Sequence, residues 1–463
     1  MKFGLPHIAI LLGLLIFILL PAPLAGFRDV EAASRFEAAG DYASAASAYA
    51  LAAGRIPWQP SLWEQAGEMA QASGNGQNAI LYLKQAGQRN ALSPLGWFSL
   101  GLAYQQQEDI PSAVSAWKRA LPLAEAYASL AQVYRTQGDF PAAIADWQAS
   151  IVQKADQANA HYQLGLLLAT TSPETALPEL MQAAKLDAAF ETRVQSMRKA
   201  INSALLSDDR AYQFLLSGRA LASLGEWDLA AQSFRNAITS RQDYAEAWAW
   251  LGEAKQQQGQ DGRSEIEQAL ADGPRSAMVQ GLYGMYLQRQ GQPKEALAAF
   301  QQAADQQPAD AGWQMALGSA YEQTGDLVKA FNYYLRATEL APEDASAWSG
   351  LASFCLRNNV DLAVSGLSAA SHLLAIASDD WRSYDIAGQV LLETGDTHGA
   401  EQDLQKALQM APLEAAPSLH LGEFYLQTNQ RSAAQAYLVN AQAFDPNGPS
   451  GMLAQRLLER YFP

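Results

Sequence analysis

Helix-like segments, apolar at spacings of three and four, flank glycines at Gly40, Gly74, Gly225, Gly259, Gly291 and Gly325, which are 34, 34, 32 and 34 residues apart within two runs. Pro308 and Pro342, Pro412 and Pro446, and Ala303 and Ala337 are each separated by 34 as well, and Gly325 to Gly395 spans two such intervals at 70. Before each turn the order is apolar, Leu-Gly, then an aromatic three residues on, as in Leu100-Gly101 with Tyr104 and Leu317-Gly318 with Tyr321. After the turn comes alanine with an aromatic or leucine four later, as in Ala296 with Phe300 and Ala330 with Tyr334. Each period therefore predicts one helical hairpin. Small residues such as Gly101 and Ala113 let its two helices approach, while Trp97, Leu100, Tyr104 and Trp117 fill the space between them. The glycine supplies a left-handed residue that ends the first helix. An acid caps the second in Gly40-Asp41, Gly138-Asp139, Gly325-Asp326 and Gly395-Asp396.

The pattern resembles the tetratricopeptide repeat (TPR): Trp-x-x-Leu-Gly-x-x-Tyr, then Ala-x-x-x-Phe and Pro, at a period near 34 residues. The resemblance implies an all-α, TPR-type αα superhelical solenoid. Units start near residues 26, 60, 94, 124, 158, 211, 245, 277, 311, 345, 381 and 415. The expected organisation is an N-terminal hydrophobic segment (1–26), a first block of about five repeats (26–190), an extra amphipathic helix (191–210), a second block of about seven (211–448) and a C-terminal capping helix (449–463). In the interruption, Phe190, Val194, Met197, Ile201 and Leu205 form one apolar face, with Arg193, Arg198 and Lys199 beside it. It reads as a filler of the joint between blocks, with a docking site for an acidic partner as the alternative. Met452, Leu453, Leu457, Leu458 and Tyr461 form the face of the cap.

Ahead of the repeats, no residue between Lys2 and Arg28 is formally charged, and Ile8 to Leu20 is apolar save for Gly13. Alone the run has the length of a signal-peptide core, and adding Pro21 to Gly26 brings it to spanning length. The expectation is a membrane-anchored chain with an extracytoplasmic solenoid, the alternative being secretion after signal cleavage.

Net charge is −16 and the pI about 4.8, a balance that opposes nucleic-acid binding. Charged residues make up only 17% against 49% hydrophobic, so the chain has the apolar content to fold. The single cysteine, Cys355, excludes an internal disulfide and paired-cysteine zinc sites, and its place in a tyrosine slot of the repeat reads as a buried hydrophobe. Five histidines show no metal spacing, and His161 reads as packing. Gly74-Asn75-Gly76 is a turn, since no strand precedes it and no lysine follows. Trp63, Trp97, Trp248 and Trp348 share one repeat slot and read as core. No catalytic, cofactor or metal site is expected, and the chain reads as a non-enzyme.

The resemblance also implies that ligands lie on the concave face of the first helices, whose second, fifth, ninth, twelfth and thirteenth residues point into the groove. Those slots hold Phe98 and Leu102, Tyr162 and Leu166, Tyr212, Leu215 and Arg219, Met278 and Met285, and Met315. Elsewhere they are polar: Glu64 and Glu68, Glu246 and Glu253, Ser349 and Ser353. No fifth slot carries the lysine of a carboxylate clamp. The expected function is a protein-interaction scaffold that binds partner proteins or peptide segments in the groove. The alternative is a structural subunit of an envelope assembly or export complex acting through convex surfaces.

Overall fold

The computed structural model describes residues 21–462, and all 26 of their principal helices are α-helical. They form two compact units that divide between Gln242 and Asp243. Within each, most consecutive helices pair as antiparallel hairpins, a first helix A and a second helix B. The A helices from the second hairpin onward are Ser61–Ala72, Pro94–Gln106, Ala124–Thr136, Ala158–Thr171, Arg210–Ser223, Ala245–Gln257, Ala277–Arg289, Ala311–Thr324, Ala345–Asn358, Trp381–Thr394 and Ala415–Gln427. Each begins within one residue of the start that the periodicity predicts.

Local chemistry sets these boundaries. Gly40, Gly74, Gly138, Gly225, Gly259, Gly291, Gly325 and Gly395 all adopt φ between 70° and 95°, where a β-carbon would strain the backbone. The following acids cap as expected: Asp41 accepts from the Ser44 amide, Asp139 from Ala142, Asp326 from Lys329 and Asp396 from Gly399. The hairpin 345–376 lacks a turn glycine. Asn359 and Asp361 take the left-handed conformation there instead, and a π-helical turn, Leu362–Gly366, leads into Leu367–Ile376.

The packing is hairpin by hairpin. Phe300 fills the space over Gly284, Tyr334 that over Gly318, and Leu404 that over Gly388, each where a β-carbon would clash. Cys355 is fully buried, and desolvation with the nearby Asp361 charge pushes its thiol up to about 11, so it stays protonated. His161 is enclosed, its Nδ1 2.6 Å from Glu179 and its Nε2 3.1 Å from the Ala155 carbonyl. At the end of the second unit, helix Pro449–Tyr461 places Leu453, Leu457 and Leu458 against Leu419, Leu438 and Ala441, while Met452 stays exposed.

The expected membrane anchor is corrected. Among the described residues no helix is long and apolar enough to cross a membrane. Residues 21–26, which brought the apolar run to spanning length, instead open helix Pro21–Ala38, which packs on Tyr42–Arg55. A β-carbon on Gly26 would lie 2.6 Å from Ile56, so this turn is seated against the first hairpin. Arg28, Asp29, Glu31, Arg35 and Glu37 follow within the same helix, and Asp29 pairs with Arg55 at 2.5 Å. The run Ile8–Leu20 lies outside the described residues.

Candidate partner-binding groove

Helix Ala158–Thr171 departs most from simple stacking. After its B helix, Pro173–Leu186, the chain makes a short 3₁₀ turn, Ala188–Phe190, and the additional helix Glu191–Ala204. The next hairpin then packs both of its helices, Arg210–Ser223 and Trp227–Ser240, against Ala158–Thr171. Nine of that helix's fourteen residues are buried. Tyr162 lies with its ring 4.6 Å from Phe190, and Leu166 and Leu215 are buried too. Three apolar slots are thus filled by the fold itself. Arg135 locks the arrangement from the preceding A helix. Its guanidinium donates to both oxygens of Asp228 at 2.9 and 3.0 Å, to Glu226, and to Gln163 at 2.8 Å.

The remaining expected groove residues are accessible to differing degrees. Phe98 and Leu102 are half-buried against the cluster around Trp117 and Leu130. Tyr212 is 37% exposed, and Arg219 lies on the exposed side of the same helix. In the second unit Met278, Met285 and Met315 are half-buried.

Several polar slots link adjacent A helices. Glu253 is 2% exposed and receives two hydrogen bonds of 2.6 Å from Arg289. Glu322 receives two from Arg357, at 3.0 and 3.1 Å, and one of 2.7 Å from Asn358. Such charge-assisted forks fix the register of neighbouring hairpins.

Two cavities open on the A-helix side of the second unit. The first, about 430 Å³, is lined by Ser346, Ser349, Ser353, Arg357, Arg382 and Ser383 among others. The Ser383 hydroxyl is buried and has no hydrogen-bond partner among the described residues. The second, about 360 Å³, has apolar walls of Leu356, Leu392, Leu426, Leu457 and Tyr461, and a polar side of Gln389, Glu393, His420, Glu423 and Gln427. Most of these residues occupy the ninth, twelfth and thirteenth slots of successive A helices, and Leu457 and Tyr461 stand at the ninth and thirteenth positions of the final helix. The sequence reading followed apolar slots and a basic clamp, and so passed over the acids in these last units. The same register contained the signal, with Asp385 in a fifth slot, Glu423 in a ninth and Glu393 in a thirteenth.

His420 Nδ1 lies 2.8 Å from both carboxylate oxygens of Asp385. Burial alone lowers its pKa, but the Asp385 bond and charge, with Glu423, hold it above the ordinary 6.5. Burial raises the Glu423 carboxyl above 4.5, with Asp385 and Glu393 adding to this and His420 opposing it. Both shifts have one sign for stability. The histidine's contribution is complete below about pH 6.5 and lost as pH rises through its folded value, while Glu423 ionises at a penalty as pH climbs from about 4.5. The second unit is expected to melt lower at about pH 8 than at about pH 6, and His420→Gln to flatten that slope. Thermal unfolding at several pH values, followed by circular dichroism, checks it; an unchanged slope in the variant would remove His420 as the cause.

Stacked hairpins of this kind define a helical-repeat scaffold. Sequence profiles described as Tetratricopeptide repeat match residues 282–345 and 391–457, and one described as TPR repeat matches 131–171 and 218–259. The chain thus carries tetratricopeptide repeats in both units, and proteins built from such repeats generally act as protein-interaction scaffolds. Similar solved structures include a chain of the APC/C hetero-tetramer Cut9–Hcn1, at 14% identity and TM-score 0.42, covering 93% of this chain and 95% of that one. Yeast Tom70 is similar at 11% identity and TM-score 0.42, covering 94% and 95%. A tetratricopeptide repeat protein from Parabacteroides merdae is similar at 16% identity and TM-score 0.41, covering 54% and 98%. Among curated proteins none matches in sequence.

Proposed function

We propose that this chain is a non-enzymatic scaffold that holds an extended segment of a partner polypeptide along the A-helix side of its second unit. The observation that carries the reading is the pair of adjacent cavities lined from successive A helices between Tyr334 and Tyr461, mixing apolar walls with hydrogen-bonding groups. Met278, Met285 and Met315 extend this surface toward the earlier hairpins of the unit and supply adaptable apolar contact. Phe98 and Leu102 offer the corresponding surface in the first unit, with Tyr212 standing apart from them on the returning hairpin beyond helix Ala158–Thr171.

The convex-surface reading also has a specific observation in its favour. A cleft of about 340 Å³ opens between B helices Gly76–Gln88 and Ile110–Ala120, floored by Trp97, Leu100 and Tyr104 and edged by Lys84 and Arg119. Site-specific photo-crosslinking in cells separates the two. A crosslinker at Ser349 or Gln389 is expected to capture a partner peptide identifiable by mass spectrometry, and one at Lys84 or Ser115 to give little. Capture confined to the B-helix positions would sink the groove reading.

A further inference from the structure

The cavity beside His420 has a charge balance that its own side chains leave open. Asp385 is matched by His420 and also accepts from Gln389 at 3.1 Å. Glu393 receives only the neutral amide of Gln427, at 3.2 Å. Glu423, half-buried, has no hydrogen-bond or ion-pair partner among the described residues, and no lysine or arginine lines the cavity. His420 is already engaged by Asp385, so two carboxylates face a partly desolvated space with no lysine or arginine beside them. Such a space favours an incoming positive charge more than open water does. The opposite wall is apolar, with Leu392, Leu426 and Leu457 on helices Trp381–Thr394, Ala415–Gln427 and Pro449–Tyr461. An aliphatic stem with a cationic head fits both sides at once. A bare divalent ion does not, since among the described residues no three acidic, histidine or cysteine side chains converge to hold one.

The geometry points to this cavity as the specificity pocket for a lysine or arginine side chain of the partner segment, its stem along Leu392, Leu426 and Leu457 and its head between Glu423 and Glu393. The inference rests on the groove reading proposed above and adds the chemistry of what is recognised. Asp385 and His420 act from behind, their mutual bond keeping both groups fixed at the cavity wall.

The test uses the full chain immobilised on a surface and short N-acetylated, C-amidated peptide pools, randomised except at a central lysine, arginine, Nε-acetyl-lysine, norleucine or glutamate. A further pool lacks lysine and arginine but has a free N-terminus. Lysine and arginine pools are expected to be retained about tenfold over the norleucine and acetyl-lysine pools, the effect of one charge-assisted contact in a sheltered site. Glu423→Gln should erase that preference, bringing retention of the lysine and arginine pools down to that of the norleucine pool. Glu393→Gln, at an exposed position that the fold does not depend on, should reduce it about threefold. Each variant is compared only after its circular dichroism matches the parent. Equal retention of all pools, abolished by Leu457→Trp, would overturn the cationic occupant and keep the groove. A lysine preference that survives both glutamate substitutions would overturn the assignment to this cavity, and retention of only the free-N-terminus pool would replace the side chain with a terminal amine. Retention of no pool would overturn both the pocket and the groove reading.

Discussion

Replacing Arg135 with methionine is expected to destabilise the first unit by about 2–4 kcal/mol. The side chain is 11% exposed and holds Asp228 in a two-pronged contact, with Glu226 and Gln163 completing its donors. Removing it leaves two acids close together at the start of helix Trp227–Ser240. Breaking a fully buried pair costs about 3–5 kcal/mol; the lower figure used here reflects Asp228, which is 40% exposed and regains some water. Arg135→Lys keeps the charge but loses the fork, and should fall between the two. At about 2–4 °C per kcal/mol for a unit of this size, calorimetry resolves the difference. Adding Glu226→Gln and Asp228→Asn to the methionine variant should recover part of the loss, because the repelling charges go too. A melting temperature unchanged by Arg135→Met would show that the triad is incidental to the fold.

The second large effect is expected at Gly101, where alanine should cost about 1–3 kcal/mol despite being the better helix former by about 1 kcal/mol. A β-carbon there would lie 2.2 Å from Nε1 of Trp117 and 2.3 Å from its Cδ1. The indole is fully buried, so it has nowhere to retreat, and its N–H has no partner among the described residues. Trp117→Phe gives up volume but also removes that unsatisfied donor. In its background Gly101→Ala should be at least about 1 kcal/mol milder, a coupling expected only for groups in contact. Denaturant unfolding of the four proteins closes the cycle, and simple additivity would place the strain elsewhere.

What the sequence made legible was local. Turn glycines, caps and the Leu-Gly-x-x-Tyr pattern each act over fewer than a dozen residues, and the hairpins begin where those signals put them. The meaning of the groove slots was less accessible, because it depends on which helix comes next in space. Tyr162, Leu166 and Leu215 are apolar for the reason that core residues are: two helices from beyond the inserted segment cover that A helix. The tie that secures this packing joins Arg135 to Asp228, 93 positions later, and no repeat period encodes such a pair. Glu253 likewise looks like a ligand slot in a one-dimensional reading and proves to be the anchor for Arg289. In the last hairpins the same register places acids, Asp385, Glu393 and Glu423, in groove slots, a chemistry that neither apolar anchors nor a lysine clamp would reveal.

The enclosure of helix Ala158–Thr171 also sets a limit on length. A polypeptide lying across A helices Ser61–Ala72, Pro94–Gln106 and Ala124–Thr136 travels over three elements about 10 Å apart, a path of roughly seven to nine extended residues. Beyond that it meets a face already occupied by Phe190 and by the returning hairpin. Under the groove reading proposed above, a guest on these three helices would end there or turn away into solvent, and the inserted segment would set the length of chain that this face admits.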